Sequence, residues 1–332
     1  MADGQTSTTI WNGNWIQVKV PLPFSLKWVN SYVLPEPDGE GFTVVDPGLR
    51  TEEAIGAWQE AMERHGLSMR DVKRIILTHQ HPDHYGLAGY FQEQSGAPVY
   101  MTKRAHDYTI RLWGERADFS GDLHQLFEVH GMPRELLEAI DGNLDAFLER
   151  VSPQPVVTYI EAGSEMEFGG SIWQLIDAPG HAFGQVCFYD AQHGWMLCGD
   201  QVLPRITPNI GFVPGEEENP LEHFLTSLRE LSRYEVKMAF PGHRDPFPEF
   251  EERIEALLQH HERRLTSMLG LLKQPLTAFE LCEETFGKSL RSNPHNLRFA
   301  MQETLAHLHY LEQQGSVIRT VGAPVVFQAA GD

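Results

Sequence analysis

Seven side chains of the kinds that bind divalent metals stand at four places in this 332-residue sequence. Four share one stretch, Thr78-His79-Gln80-His81-Pro82-Asp83-His84, where alternating residues of a single loop can point at two adjacent metal positions. The other three each follow a glycine: His181 after Pro179-Gly180, Asp200 after Gly199, and His243 after Pro241-Gly242. A small residue there lets backbone approach a crowded centre. Neutral imidazoles and carboxylates are the usual ligands of zinc and similar ions, and two metals need about six or seven protein groups. Two such ions make a hydroxide available near neutral pH and polarise the bond it attacks, so hydrolysis needs no Ser or Cys nucleophile. Asp83 is the candidate catalytic group, able to orient that hydroxide or carry a proton to the leaving group.

Groups so far apart in sequence converge only if several elements end at one place. Short strands are expected over Trp15 to Val20, Trp28 to Leu34 and Phe42 to Val45, the last ending at Asp46-Pro47-Gly48. Thr51 opens a helix with Ile55, Trp58, Ala61, Met62 and His65 on one side, and Gly66 stops it. Val72 to Leu77 is a β-branched run that leads straight into the histidine loop, and Leu87 to Gln94 can be helical. Val99 to Met101 continues the strand and helix alternation of an α/β layered fold. Residues 105–151 read as an inserted helical cap, with Pro133 at a first helical position. Strands return at Val156 to Ile160, Ser171 to Asp177, Gln185 to Tyr189 and Trp195 to Cys198. Beyond Asp245 come three helical stretches and a hairpin around Gly322, the outline of a winged helix. The boundaries that follow are 1–248 for a catalytic domain and 249–332 for a C-terminal one.

The run His79-Gln80-His81-Pro82-Asp83-His84, with His181, Asp200 and His243 in the same order, resembles the metallo-β-lactamase superfamily over about Trp15 to Asp245. That resemblance implies an αββα sandwich. It also implies one metal on His79, His81 and His181, another on Asp83, His84 and His243, and Asp200 bridging. Asp46 matches the family's early aspartate, which orients a ligand imidazole from behind. An aspartate at the bridging position resembles the hydroxyacylglutathione-hydrolase and lactonase branches rather than lactam-cleaving ones. The long helices after His243-Arg244-Asp245-Pro246 resemble the human-type β-lactamase-like protein 2 group, which includes an RNA-cutting enzyme. The metals expected are zinc first, with iron or manganese as alternatives, since His and Asp serve all three. Sulfur dioxygenases of the superfamily keep similar ligands.

Charge and composition narrow the partners. A net charge of −20 repels nucleic acid and anionic lipid, and from Glu251 to Asp332 ten acidic residues stand against eight basic ones. With a polar start that lacks the basic and apolar pattern of a leader, no secretory signal is expected; no long apolar run is present, and Cys187, Cys198 and Cys282 have no metal or disulfide spacing. A cytoplasmic protein acting on a small molecule is expected, with self-association left open. Tyr108, Trp113, Phe119, Phe127, Met132 and Phe147 in the insertion either wall a pocket for an acyl or aryl group or form the cap's own core. His106, His124 and His130 read as ordinary polar positions, and His260-His261 as part of a solvated helix face. The leading expectation is a dinuclear metallohydrolase for a thioester, lactone or carboxylic ester. Its rivals are a phosphodiesterase or endoribonuclease of the same fold and a non-catalytic binding protein that keeps metals for stability.

Overall fold

Two twisted sheets face each other in the computed structural model, which describes residues 7–11, 14–37, 39, 41–114, 119–145, 147–215 and 217–331. The first residues of the polar start, 1–6, and residues 115–118 and 146 of the expected insertion lie outside that set. The first sheet runs in chain order through β1 (Thr8–Trp11), β2 (Trp15–Pro21), β3 (Trp28–Pro35), β4 (Phe42–Val45), β5 (Val72–Ile76), β6 (Val99–Thr102) and β7 (Val157–Ile160). It is antiparallel as far as β4 and parallel from there to β7. The second sheet contains β8 (Glu165–Phe168), β9 (Ser171–Asp177), β10 (Val186–Asp190), β11 (Trp195–Gly199) and β12 (Met238–Pro241), in the order β12-β11-β10-β9-β8.

Helices cover both outer faces. Helix α1 (Glu52–His65) buries Ala54, Ala57, Trp58, Ala61 and Met62 on the first sheet, together with α3 (Ala88–Ser95), while the single turn α2 (Pro82–Tyr85) precedes α3. Thr51 accepts the Ala54 amide at the start of α1 and Gly66, at φ 65°, ends it, as the sequence predicts. On the other side, α7 (Pro220–Leu231) and α8 (Phe250–Leu271) cover Cys187, Met196 and Cys198. Between the sheets lie Trp15, Tyr32, Ile76, Phe168, Trp173, Phe188 and Phe240. The result is the expected αββα arrangement. Strand β2 does not show the one-sided burial its alternation suggests: Trp15 to Val18 are all buried, because one of its faces meets the second sheet and the other meets helices. Strands β1 and β8 and helix α7 go beyond the sequence reading, and Pro133 stands just before its helix rather than inside it.

The insertion holds α4 (Lys103–Trp113), α5 (Phe119–Val129) and α6 (Arg134–Asp145). Beyond α8 come α9 (Ala278–Phe286), α10 (Pro294–Gln313) and a hairpin of β13 (Val317–Thr320) and β14 (Val326–Ala329). These two segments do not form separate cores. Leu123, Phe127, Met132, Leu137 and Ile140 of the insertion share one apolar cluster with Leu281, Leu297, Met301, Leu305 and Phe327 of the tail. His261 is fully buried rather than solvated, because its face of α8 meets α10, where His307 lies 3.2 Å from its Nδ1. His130 is also buried, its ring bonded to the Leu126 carbonyl at 2.7 Å. Among the described residues no helix is long and apolar enough to cross a membrane.

Candidate metal centre

All seven expected ligands meet at one end of the two sheets, each beyond a strand terminus. β5 delivers His79 and His81, with Asp83 and His84 on α2. β9 leads to His181, β11 to Asp200 and β12 to His243. The chain must come very close here. A Cβ on Gly242 would collide with the Asp200 carboxylate and the His84 ring, and one on Gly180, at φ 113°, with the backbone of Phe224.

The side chains form two facing groups. In the first, His81 Nδ1 lies 3.1 Å from His79 Nε2 and 3.0 Å from His181 Nε2. In the second, His243 Nε2 lies 3.2 Å from Asp83 Oδ2, and His84 Nε2 lies 3.9 Å from the same oxygen. Asp200 sits between them: its Oδ2 is 3.6 Å from His181 Nε2 and 3.3 Å from His243 Nε2, and its Oδ1 is 3.4 Å from His84 Nε2.

Hydrogen bonds behind the rings fix which nitrogen faces inward. Asp46, held at a left-handed φ of 51°, accepts from the Thr78 amide at 2.8 Å, the Thr78 hydroxyl at 2.7 Å and His84 Nδ1 at 2.8 Å. With its proton on Asp46, the Thr78 oxygen accepts from His79 Nδ1 at 2.9 Å. His181 Nδ1 donates to the Asn209 carbonyl at 2.9 Å and His243 Nδ1 to the Trp28 carbonyl at 3.0 Å. Four imidazoles thus turn Nε2 toward the centre, bare on His79 and His181. His84 Nε2, His243 Nε2 and Asp200 Oδ1 are buried with no hydrogen-bond partner. Converging buried polar atoms without partners are costly, and divalent cations fit this set of imidazoles and carboxylates.

Electrostatics divide the two groups. Burial, then the neighbouring imidazoles, push His79 well down, and burial, then His181, takes His81 to about 3. Burial lowers His181 as well. These three rings are neutral, the form that binds metal. Burial also opposes charge on His84 and His243, but the carboxylates prevail. Asp200 leads in raising both, and His243 reaches about 10. Asp83 and Asp200, although buried, are held well below the usual carboxylate range by His84 and His243. The carboxylates stay ionised and draw protons that a bound cation would replace.

Over this centre opens a cavity of about 280 Å³. Its walls include Phe24, Leu26, Tyr108, Trp113, Phe119 and Phe147, while His81, Asp83, His181, Asp200 and His243 border it. Of the insertion's aromatics, then, Tyr108, Trp113, Phe119 and Phe147 wall the pocket, whereas Phe127 belongs to the cluster shared with the tail.

Residues 29–243 match the Metallo-beta-lactamase superfamily. The chain belongs to that superfamily. Residues 265–329 match the metallo-beta-lactamase-like C-terminal domain. A metallo-beta-lactamase family protein of Thermus thermophilus superposes with a TM-score of 0.86 at 36% identity, over 95% of this chain and 98% of that one. A beta-lactamase domain protein of Burkholderia ambifaria does so with a TM-score of 0.87 at 26% identity, over 99% and 95%. The probable metallo-hydrolase YqjP of Bacillus subtilis (strain 168) is 26% identical over 91% of this chain and 93% of its own length. Family and site together mark a metal-dependent hydrolase.

Several residues that shape the site escape sequence reasoning. Asn209 and Trp28 act through backbone carbonyls, which leave no trace in residue type. Phe24, His295 and Arg298 reach the cavity from segments distant from every motif.

Proposed function

We propose that the chain holds two divalent cations, one on His79, His81 and His181 and one on Asp83, His84 and His243, with Asp200 between them, and that it cleaves carbonyl esters of small molecules. The observation that carries the dinuclear reading is Asp200, whose carboxylate lies within 3.6 Å of an inward-facing imidazole nitrogen of each group. Zinc suits these ligands, and so do iron and manganese. When bound, such ions supply a water that ionises near neutral pH and a Lewis acid for the scissile carbonyl.

The chain's own residues do the rest. Asp46 and Thr78 hold the rings of His84 and His79, so the inward lone pairs are set before any substrate arrives. Asp83 borders the cavity with an ionised carboxylate, from which it orients the attacking water and passes its proton to the departing oxygen or sulfur. The aromatic walls seat an apolar body and keep bulk water from the reacting bond. The placement of Asp200 supports kinship with the hydroxyacylglutathione-hydrolase and lactonase branches over lactam-cleaving ones, and the long C-terminal helices support kinship with the β-lactamase-like protein 2 group.

Turnover tests the substrate class. Zinc-loaded protein should hydrolyse members of a thioester, lactone and carboxylic-ester panel, and act weakly on bis-nitrophenyl phosphate and single-stranded RNA. Preference for the phosphodiesters would overturn the ester reading, and no turnover by fully loaded protein would leave a binding protein.

A further inference from the structure

Arg298, on the first turns of α10, is the one Lys or Arg among the described residues that line the cavity. Its guanidinium has no carboxylate partner among the described residues. It bonds Gln302 Oε1 at 3.4 Å, and lies 4.2 Å from the Phe299 ring centroid. Its Nε is enclosed and makes no hydrogen bond. Burial lowers its pKa to about 10, so it is still charged at neutral pH. A ring face and a long amide contact compensate an enclosed cation only in part, and buried charges are normally paired.

Away from the metal-binding end, the other described residues that line the cavity carry no charge. His295 stacks on Phe24 with centroids 4.8 Å apart and on Phe147 at 6.0 Å, and its Nδ1 is buried without a partner. Burial, then Arg298, takes its pKa down to about 4, so it is neutral, and Asp83 acts on it as well. His295 therefore lies within electrostatic range of both the metal-binding end of the cavity and Arg298. A polar centre, an aromatic slot and a lone guanidinium share one cavity of about 280 Å³.

We infer that Arg298 receives a carboxylate carried by the substrate. The inference rests on the ester reading above and narrows it: the ester has one anionic end and a short apolar body lying along Phe24, His295 and Phe147. One planar fork matches one carboxylate in two parallel hydrogen bonds. At the Arg298 end of the cavity no second Lys or Arg among the described residues is present to meet the charge of a phosphate monoester, about two.

Two paired measurements test this on the zinc-loaded full chain. The first compares the para-nitrophenyl ester of glutaric acid, its far carboxylate free, with the same ester methylated at that carboxylate. The ratio of the two kcat/KM values should favour the free acid by about 30-fold or more. It should fall toward one in Arg298→Met and take an intermediate value in Arg298→Lys. The second uses calorimetry with phenylbutyrate and its neutral amide, where Arg298→Met should remove the preference for the acid. Since Arg298→Met removes an unpaired charge, its Tm should equal or exceed that of the wild type. A ratio near one in the wild type, a ratio unchanged in Arg298→Met, or a marked fall in Tm overturns the subsite. If neither ester is cleaved but phenylbutyrate binding depends on Arg298, the ester reading fails and the subsite stands. If both esters are cleaved at equal rates, the ester reading stands and the subsite fails.

Discussion

Single residues set the site by what stands behind them. Asp46 accepts three hydrogen bonds in a backbone conformation that non-glycine residues seldom adopt, and two of its donors, Thr78 and His84, lead directly to inward-facing nitrogens. Asp46→Asn offers a donor where His84 also donates, and so removes the preference for a bare Nε2. Loss of such partners costs about 10–100-fold in metal affinity. Competition with a chromophoric chelator should show that drop for Asp46→Asn with little change in Tm of the metal-free protein, and equal affinity would remove the orienting role. The seven inward groups stood out in the sequence as imidazoles and carboxylates crowded into one loop or following a glycine at a strand end, and Asp46 stood out through the family resemblance. Asn209 and Trp28 did not, since any residue supplies a backbone carbonyl.

At the scale of elements, period and caps predicted most of the strands and helices, and errors fall where packing overrides pattern. The face of α8 carrying His261 looks polar in sequence but meets α10. His261 Nδ1 donates to His307 Nε2, and His307 Nδ1 donates to the Glu303 carbonyl at 2.8 Å, so both rings are neutral. Burial, then His307, takes His261 to about 2, and burial takes His307 to about 4. Both folded values lie below the unfolded one, so the unfolded chain binds the extra protons. The stability these rings confer is complete above about pH 6.5 and is lost as pH falls toward the folded values. Between pH 6.5 and 5 each should cost about 2 kcal/mol. Urea titrations across that range should show a steeper loss in the wild type than in His261→Leu/His307→Leu. Parallel slopes would mean the pair is not neutral in the fold.

At the scale of the whole molecule, the insertion and the tail matter through a contact that no local pattern could reveal. Their helices close one apolar cluster, and together they roof the cavity, α4 giving Tyr108 and Trp113 and α10 giving His295 and Arg298. Asn209 links roof and centre: its carbonyl holds His181, while its side chain donates to the Phe299 carbonyl at 3.2 Å and to Glu303 at 3.0 Å. The tail's three helices and hairpin were readable from its periodicity and Gly322. Its union with the insertion was not, because that depends on shape complementarity between segments more than a hundred residues apart. The layered strands and helices were readable because the strands are short apolar runs punctuated by glycine and proline, while their αββα arrangement was implied by the resemblance to the superfamily.

The central claim is that two cations sit within this frame, one on each side of Asp200. Anomalous diffraction at the zinc edge, on crystals of the zinc-loaded full chain, tests it most directly. The account predicts two peaks, one among His79, His81 and His181 and the other among Asp83, His84 and His243, with the Asp200 carboxylate between. A single peak, or metal bound away from these side chains, would contradict it.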